Sequence, residues 1–305
     1  MEVNNVKLDW SAILENEISY YEKVLDSSNI REMYSGIIAM LDQNNLKSRV
    51  IISNSVVVAY AFLIRPNDFS DRMYAHFGFE TDIAANSTRL DTLITWARNE
   101  ARYSRLLLLF NAPFNGGTCF TDYVNEKGIE SVERVEMTGS TRLSGIISKL
   151  PDSIKIISIE KADIEQMDRS LIEAFREEGE YILISRNKKD RIAKWHDLLD
   201  GKASGKVITS ASPVLVSGGK IIAMAISTYK EGMPLISDLF VLPEYQGMGI
   251  GKYLLDHIRE NLKETFAEVS LWVDRNSHAF SFYKKNSFSA TGKDETIYFF
   301  RPELD

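Results

Sequence analysis

Along residues 10–45, apolar positions recur twice at helical spacing, first through Ile13, Ile18, Tyr21 and Val24 and then through Met33, Ile37, Ile38 and Leu41. Two amphipathic helices are predicted there. Alternation then takes over at Arg49–Ser53 and Val56–Ile64, two strands separated by a turn at Asn54, and Met73–Phe79 is a further strand. The helical period returns from Ser87 to Tyr103, with Leu90, Leu93, Ile94 and Ala97 inward and Ser87 or Thr88 as N-cap. Arg105–Phe110 reads as an apolar strand, Cys119–Glu126 as a short helix and Ile129–Thr141 as closing strands.

The same order recurs downstream. Asp163 caps a helix through Met167, Leu171 and Phe175, with Gln166 three residues on as in a capping box. A helix over Lys189–Leu199 follows, then strands at Pro213–Val216, Lys220–Tyr229 and Leu235–Leu242. The last is nearly all apolar and suits a central strand covered on both faces. Beyond it come a helix with Leu254, Leu255, Ile258 and Leu262 inward, a strand at Leu271–Val273 and a last helix and hairpin. The tails also correspond, Phe120-Thr-Asp-Tyr123 ahead of Gly128 echoing Phe282-Tyr283 ahead of Phe288. The chain is therefore read as two tandem copies of one α+β unit, 1–148 and 149–305, with the boundary in Ser144–Asp152. Its length of 305 residues gives each copy enough chain for its own core.

Composition narrows the function classes. Apolar content of 44% and charged content of 26% are those of a soluble globular protein. No apolar run approaches the ~18–20 residues that cross a bilayer, and the polar start lacks a secretory core, so a cytoplasmic protein is expected. A net charge of −7 argues against nucleic acid or an anionic membrane as partner and is compatible with a cationic substrate. The single cysteine, Cys119, rules out an intrachain disulfide, and His76, His196, His257 and His278 show no ligand spacing, so no metal site is expected.

The chemistry concentrates in Leu235–Lys252. Pro243 ends the strand, and after Glu244 and Tyr245 come Gln246, Gly247, Met248, Gly249, Ile250 and Gly251, inside which the next helix begins. A helix starting in a side-chain-poor loop offers free backbone N–H groups and the positive end of its dipole, which suits phosphate or pyrophosphate. A P-loop would need glycine at 246 and Ser or Thr after Lys252, and a dinucleotide loop would need glycine at 252; the chain has Gln246, Tyr253 and Lys252. The first copy instead carries Thr81-Asp-Ile-Ala-Ala-Asn-Ser87 at this point, without glycine and with Asp82 where an anion would sit, so only the second copy is expected to bind one.

Val241-x-Pro243-x-x-Gln246-x-x-Gly249-x-Gly251 resembles the coenzyme A loop of the GNAT superfamily of N-acetyltransferases. The resemblance continues in Asn276-x-x-Ala279-x-x-x-Tyr283-x-x-x-Ser287-Phe288, where family members typically have glycine at the position of Ser287, and it covers roughly Ile156 to Pro302. It implies two tandem GNAT-like domains, each a mixed, mostly antiparallel sheet flanked by helices, the first degenerate. It further implies acyl-CoA, in the first place acetyl-CoA, as co-substrate and an amine of a small molecule or peptide as acceptor. By position, Phe240, Val241, Gln246, Gly247, Met248, Gly249, Ile250, Gly251, Lys252 and Asn276 would hold the cofactor, with Asn276 equally readable as a helix N-cap and Lys252 as a solvated lysine. Tyr283 would be the general acid, a phenol of pKa ~10 protonating the leaving thiolate.

The base is open. An alkylamine of pKa ~10.4 lies ~4.6 kcal/mol from neutral at pH 7. Many family members place a carboxylate at the positions of Leu235 or Ser237, and this chain has neither. Asp238 is the nearest, but alternation turns it away from Ser237 and Leu239 unless a bulge intervenes. The stretch Glu173–Tyr181 lies where the family walls the acceptor site, so Glu177, Glu178, Tyr181 and Ser237 are candidate acceptor contacts; the same run also reads as a solvated helix end. Two other classes stay compatible with these residues: a non-enzymatic acyl-CoA-binding or regulatory protein, and an interaction module whose glycine loop binds nothing. The first copy is read as packing against the second or as touching substrate.

Overall fold

The computed structural model describes residues 8–25, 29–65, 70–79, 87–102, 107–110, 117–143, 149–176, 178–230 and 232–301. These fall into two compact units, Met1–Ser131 with Ile297–Asp305, and Val132–Thr296.

In the first unit α1 (Trp10–Leu25) and α2 (Ile30–Asp42) precede β1 (Lys47–Ser53), β2 (Val56–Ile64) and β3 (Arg72–Phe79), which pair antiparallel. After α3 (Ser87–Arg102), β4 (Leu107–Phe110) adds parallel to β3, and α4 (Gly117–Glu126) follows. The β1–β2 turn holds Asn54 and Ser55 at φ 50° and 67°, the left-handed pair that a two-residue hairpin requires. As the periodicity predicts, Leu90, Leu93, Ile94 and Ala97 of α3 are buried, together with Phe77 and Phe120. On α2 the reading is corrected at Met33, which is 54% exposed, because the inward face runs through Ile30, Tyr34 and Leu41. A carboxylate, Glu17, is buried in this unit: Tyr34 donates to it at 2.6 Å, Tyr60 donates to its other oxygen, and His76 Nε2 lies 2.7 Å away. Burial pulls its pKa up, but these three partners outweigh that and hold it below the ordinary glutamate value.

The second unit takes in β5 (Glu130–Ser140) from residue 132 onward, then β6 (Ile154–Ser158), α5 (Ile164–Phe175), α6 (Lys188–Leu199), the short β7 (Lys206–Val207), β8 (Pro213–Ser217), β9 (Lys220–Lys230) and β10 (Met233–Val241). It closes with α7 (Ile250–Leu262), β11 (Glu268–Asp274), α8 (His278–Lys285) and β12 (Phe288–Phe300). The strands run in the order β6-β8-β9-β10-β11-β5-β12, and β10–β11 is a parallel pair. One sheet face packs on α7 and α8 through Leu254, Ile258, Leu271 and Val273; the other packs on α5 and α6 through Met167, Leu171, Trp195 and Phe240. Asp163 caps α5 as predicted, its Oδ1 accepting from Gln166 N at 2.7 Å. A part-buried bidentate pair, Arg191 to Asp168 at 2.7 and 3.0 Å, locks α6 to α5.

The compact units depart from a division at residue 148. Strand β5 pairs with β11 from Arg134 to Ser140, which brings 132–148 into the second unit, and Tyr298–Phe300 of β12 pair with β4, which brings 297–305 into the first. Main-chain ladders, not chain proximity, decide the membership.

Candidate functional site

Gly249 is the N-cap of α7 at φ 80°, and Gly247 sits at φ 74°. A Cβ on either would meet nothing within 4 Å, so both border open space and both adopt a conformation that L residues reach only with strain. The first intrahelical bond of α7 runs from Tyr253 N to Gly249 O, at 3.0 Å. The N–H groups of Ile250, Gly251 and Lys252 precede it and have no acceptor within the helix, which leaves them for an anion. Gly251 has a different role: a Cβ there would lie 3.1 Å from the Phe282 ring, so its small size lets α8 approach α7.

Next to this loop the sheet opens. The parallel pairing of β10 with β11 covers only Leu235↔Ser270 and Ile236↔Leu271, whereas β9 pairs with β10 along its whole length. The departure coincides with a β-bulge between Ile236 and Asp238, which makes Ser237 the inserted residue. Its hydroxyl donates to Ile226 O at 3.2 Å. Beyond the bulge, one edge of residues 239–241 is turned to a cleft of about 430 Å³, and Asp238 is not among its lining residues. Phe175 and Glu178, Leu239 to Val241, the glycine loop and Ala279 with Phe282 of α8 line it.

Of the residues that the sequence singles out, Phe240, Val241, Gln246, Gly247, Gly249, Ile250, Gly251, Lys252 and Glu178 line the cleft together. Gln246 Nε2 donates to Val241 O at 3.1 Å and ties the loop to the strand end. Met248 is 55% exposed and Asn276 is exposed, and neither is among the lining residues. Helix α8 is capped by Ser277, whose Oγ accepts from Phe280 N at 3.3 Å; the N-cap reading of Asn276 is therefore corrected by one position. Lys252 is paired with Asp256 one turn along, where Arg259 also approaches. Tyr181 lies in a 3-10 turn, Gly179–Leu183, and Glu177 falls outside the described residues, as does Asp82 of the first unit. Glu173 pairs with Lys220 at the surface, at 3.1 Å.

Tyr283 is 6% exposed, with its ring 5.3 Å from Phe282 and 5.5 Å from Phe288, one layer behind the cleft wall. Asp238 is partly buried. Leu239 and Val241 pack toward α7 and Phe240 toward α5 and α6, so Asp238, two before Phe240, is on the α6 side. Burial pushes its carboxyl above the ordinary aspartate range, while Lys194, the Ser237 hydroxyl and Arg134 pull it back. Sequence reading missed Leu239, Tyr245, His278, Ala279 and Phe282 as lining residues. For Leu239 the signal was available, since alternation pairs it with Val241.

Among the described residues, no helix is long and apolar enough to cross a membrane, and no group of three or more His, Cys, Asp or Glu is placed to hold a metal. Residues 173–298 match the family described as Acetyltransferase (GNAT) domain. Among curated proteins none matches the sequence. A GCN5-related N-acetyltransferase from Sphaerobacter thermophilus shares the fold at TM-score 0.55 and 13% identity, over 85% of this chain and 82% of that one. A conserved protein of unknown function from Staphylococcus epidermidis aligns at TM-score 0.52 and 13% identity, over 84% of this chain and 95% of its own. The α+β fold with helices on both faces is thus that of GNAT proteins over most of the chain, and within it residues 173–298 match the GNAT acetyltransferase domain.

Proposed function

We propose that the second unit is an acyl-CoA-dependent N-acyltransferase that uses acetyl-CoA and an amine of a small molecule or peptide. The observation that carries this reading is the cleft itself: a left-handed glycine N-cap beside a parallel strand pair that parts after two residues. The N–H groups at the start of α7 would hold the pyrophosphate, and the free edge of β10 at Phe240–Val241 would pair with the pantetheine arm. A main-chain N–H there would also polarise the thioester carbonyl, a role that any side chain permits.

In the step we infer, the neutral amine nitrogen attacks the carbonyl carbon, and the C–S bond breaks as the C–N bond forms. The thiolate takes a proton from the Tyr283 hydroxyl, and the nitrogen sheds its extra proton to Asp238, directly or through water. A carboxyl held above its ordinary range is a stronger proton acceptor than an exposed aspartate, which favours Asp238 as base. A second reading, acyl-CoA binding without transfer, is favoured by one observation: Tyr283 lies behind the cleft wall. Thiol release with acetyl-CoA and a panel of amines, in wild type, Tyr283→Phe and Asp238→Asn, separates the two. Transfer is supported by turnover that falls ~100-fold or more in Tyr283→Phe with acetyl-CoA affinity unchanged. Acetyl-CoA binding with no turnover on any amine supports the second reading.

A further inference from the structure

On the sheet face opposite α7, beside Asp238, stands a set of side chains that the acyl-transfer reading leaves unused. Beyond β10 three strands present side chains on the sheet face opposite α7. Leu271 and Val273 are in the α7 core, so Trp272 between them is on the opposite face, half-buried. Val135 and Met137 are likewise in that core, so Arg134 and Glu136 share the face with Trp272. Strand register sets Glu136 directly against Trp272, and the Arg134 guanidinium lies 6.0 Å from the indole ring. Asp238 reaches this face from β10 because of the bulge at Ser237.

The charges on this surface are ordered. Lys194 of α6 and Arg134 of β5 both act electrostatically on the Asp238 carboxyl. Glu136 accepts a hydrogen bond from Thr291 at 2.8 Å and pairs with Lys293 at 3.4 Å. Arg134 has a half-exposed partner, Glu295, at 3.6 Å, a long surface pair that another carboxylate can replace. With Glu136 engaged by Thr291 and Lys293, an amine with no other charge would meet the Asp238 carboxylate together with the Arg134 and Lys194 cations. An acceptor with both an amino group and a carboxylate satisfies the two signs together, and the cations also favour the neutral form of its nitrogen, which transfer requires.

We propose that the acceptor is an amino acid or other amine bearing a carboxylate, laid across Trp272 with its nitrogen at Asp238 and its carboxylate at Arg134. This rests on the acyl-transfer reading and goes beyond it by naming the acceptor class. Steady-state thiol release would be measured for L-alanine, β-alanine and γ-aminobutyrate, each beside its carboxamide and the alkylamine lacking the carboxyl group. In wild type at least one acid is expected to exceed its amide in kcat/KM by ~10-fold or more. In Arg134→Gln that ratio collapses toward one, in Arg134→Lys most of it survives, and the thermal shift with acetyl-CoA shows that each variant is folded and loaded. A preference for amides or plain alkylamines, or a ratio unchanged in Arg134→Gln, overturns the acceptor assignment and leaves acyl transfer standing. Acetyl-CoA binding without turnover of any of these acids also overturns it. No acetyl-CoA binding at all removes the underlying reading as well.

Discussion

Gly249 and Gly128 together isolate the ligand contribution of the glycine loop from its conformational cost. Both have positive φ, 80° and 62°, and at both a Cβ would meet nothing within 4 Å. Alanine at either position should therefore cost the free protein about 1–2 kcal/mol, the penalty of a left-handed L residue. They differ in what the open space is for. At Gly249 it is the cleft at the start of α7, and at Gly128 it is solvent beside a turn of the first unit. With acetyl-CoA at 100 times Kd, the wild type should gain about 2.7 kcal/mol, a rise of roughly 5–10 °C in Tm. If a methyl group in the loop weakens binding ~10-fold, the same ligand concentration adds only about 1.4 kcal/mol to Gly249→Ala, about half the shift. Gly128→Ala should keep the full shift from its lowered baseline. Differential scanning fluorimetry across an acetyl-CoA titration reads all three proteins. Equal shifts in the three would refute the placement of the ligand at Gly249, and no shift in wild type would refute the cofactor.

Three further outcomes follow from single contacts. Ser287 follows the C-cap of α8 at φ 64°, so Ser287→Gly should stabilise the fold by ~1 kcal/mol, seen as a higher urea midpoint with unchanged slope. Asp168→Asn strips the part-buried Arg191 of its counter-charge and should cost ~3 kcal/mol in the same assay, whereas a change below ~1 kcal/mol would mean that the pair is solvated. Because Glu17 is held below its unfolded pKa, its charge adds stability that is full above that pKa and is lost as the pH falls through the lower, folded value. Glu17→Gln should flatten that acid limb of the stability profile, and a limb of unchanged steepness would assign it to other carboxylates.

Nearly every helix and strand was legible in the spacing of apolar residues, because one-sided burial imposes periods of 3.6 and 2 on the chain. The left-handed N-cap was legible too, since glycine marks it by type. The bulge was not: Ser237 is an ordinary strand residue, and an inserted residue leaves no trace in composition. Only the pairing of β9 with β10 shows that Ile236 and Leu239, three apart, lie in the same core. The cap of α8 is Ser277 and not Asn276: Ser277 Oγ takes the Phe280 N–H, while Asp274 Oδ1 takes the Asn276 N–H at 2.9 Å in an Asx-turn that leads the chain one residue further before the helix begins. Nor does spacing set the depth of Tyr283, which depends on how Phe282 and Phe288 close around it.

The last strand has a consequence for synthesis. Within the first unit, β4 pairs with β3 on one side and with Tyr298–Phe300 on the other, and the Tyr298 ring packs 5.3 Å from Phe120. A nascent chain that has emerged through residue 131 therefore has an open β4 edge and an uncovered aromatic. At ~5–20 residues per second the missing segment arrives roughly 10–30 s later, and an unpaired edge is exposed to wrong partners for that time. Truncation ahead of residue 297 should therefore leave the first unit prone to aggregation, although the cut falls far from it in sequence.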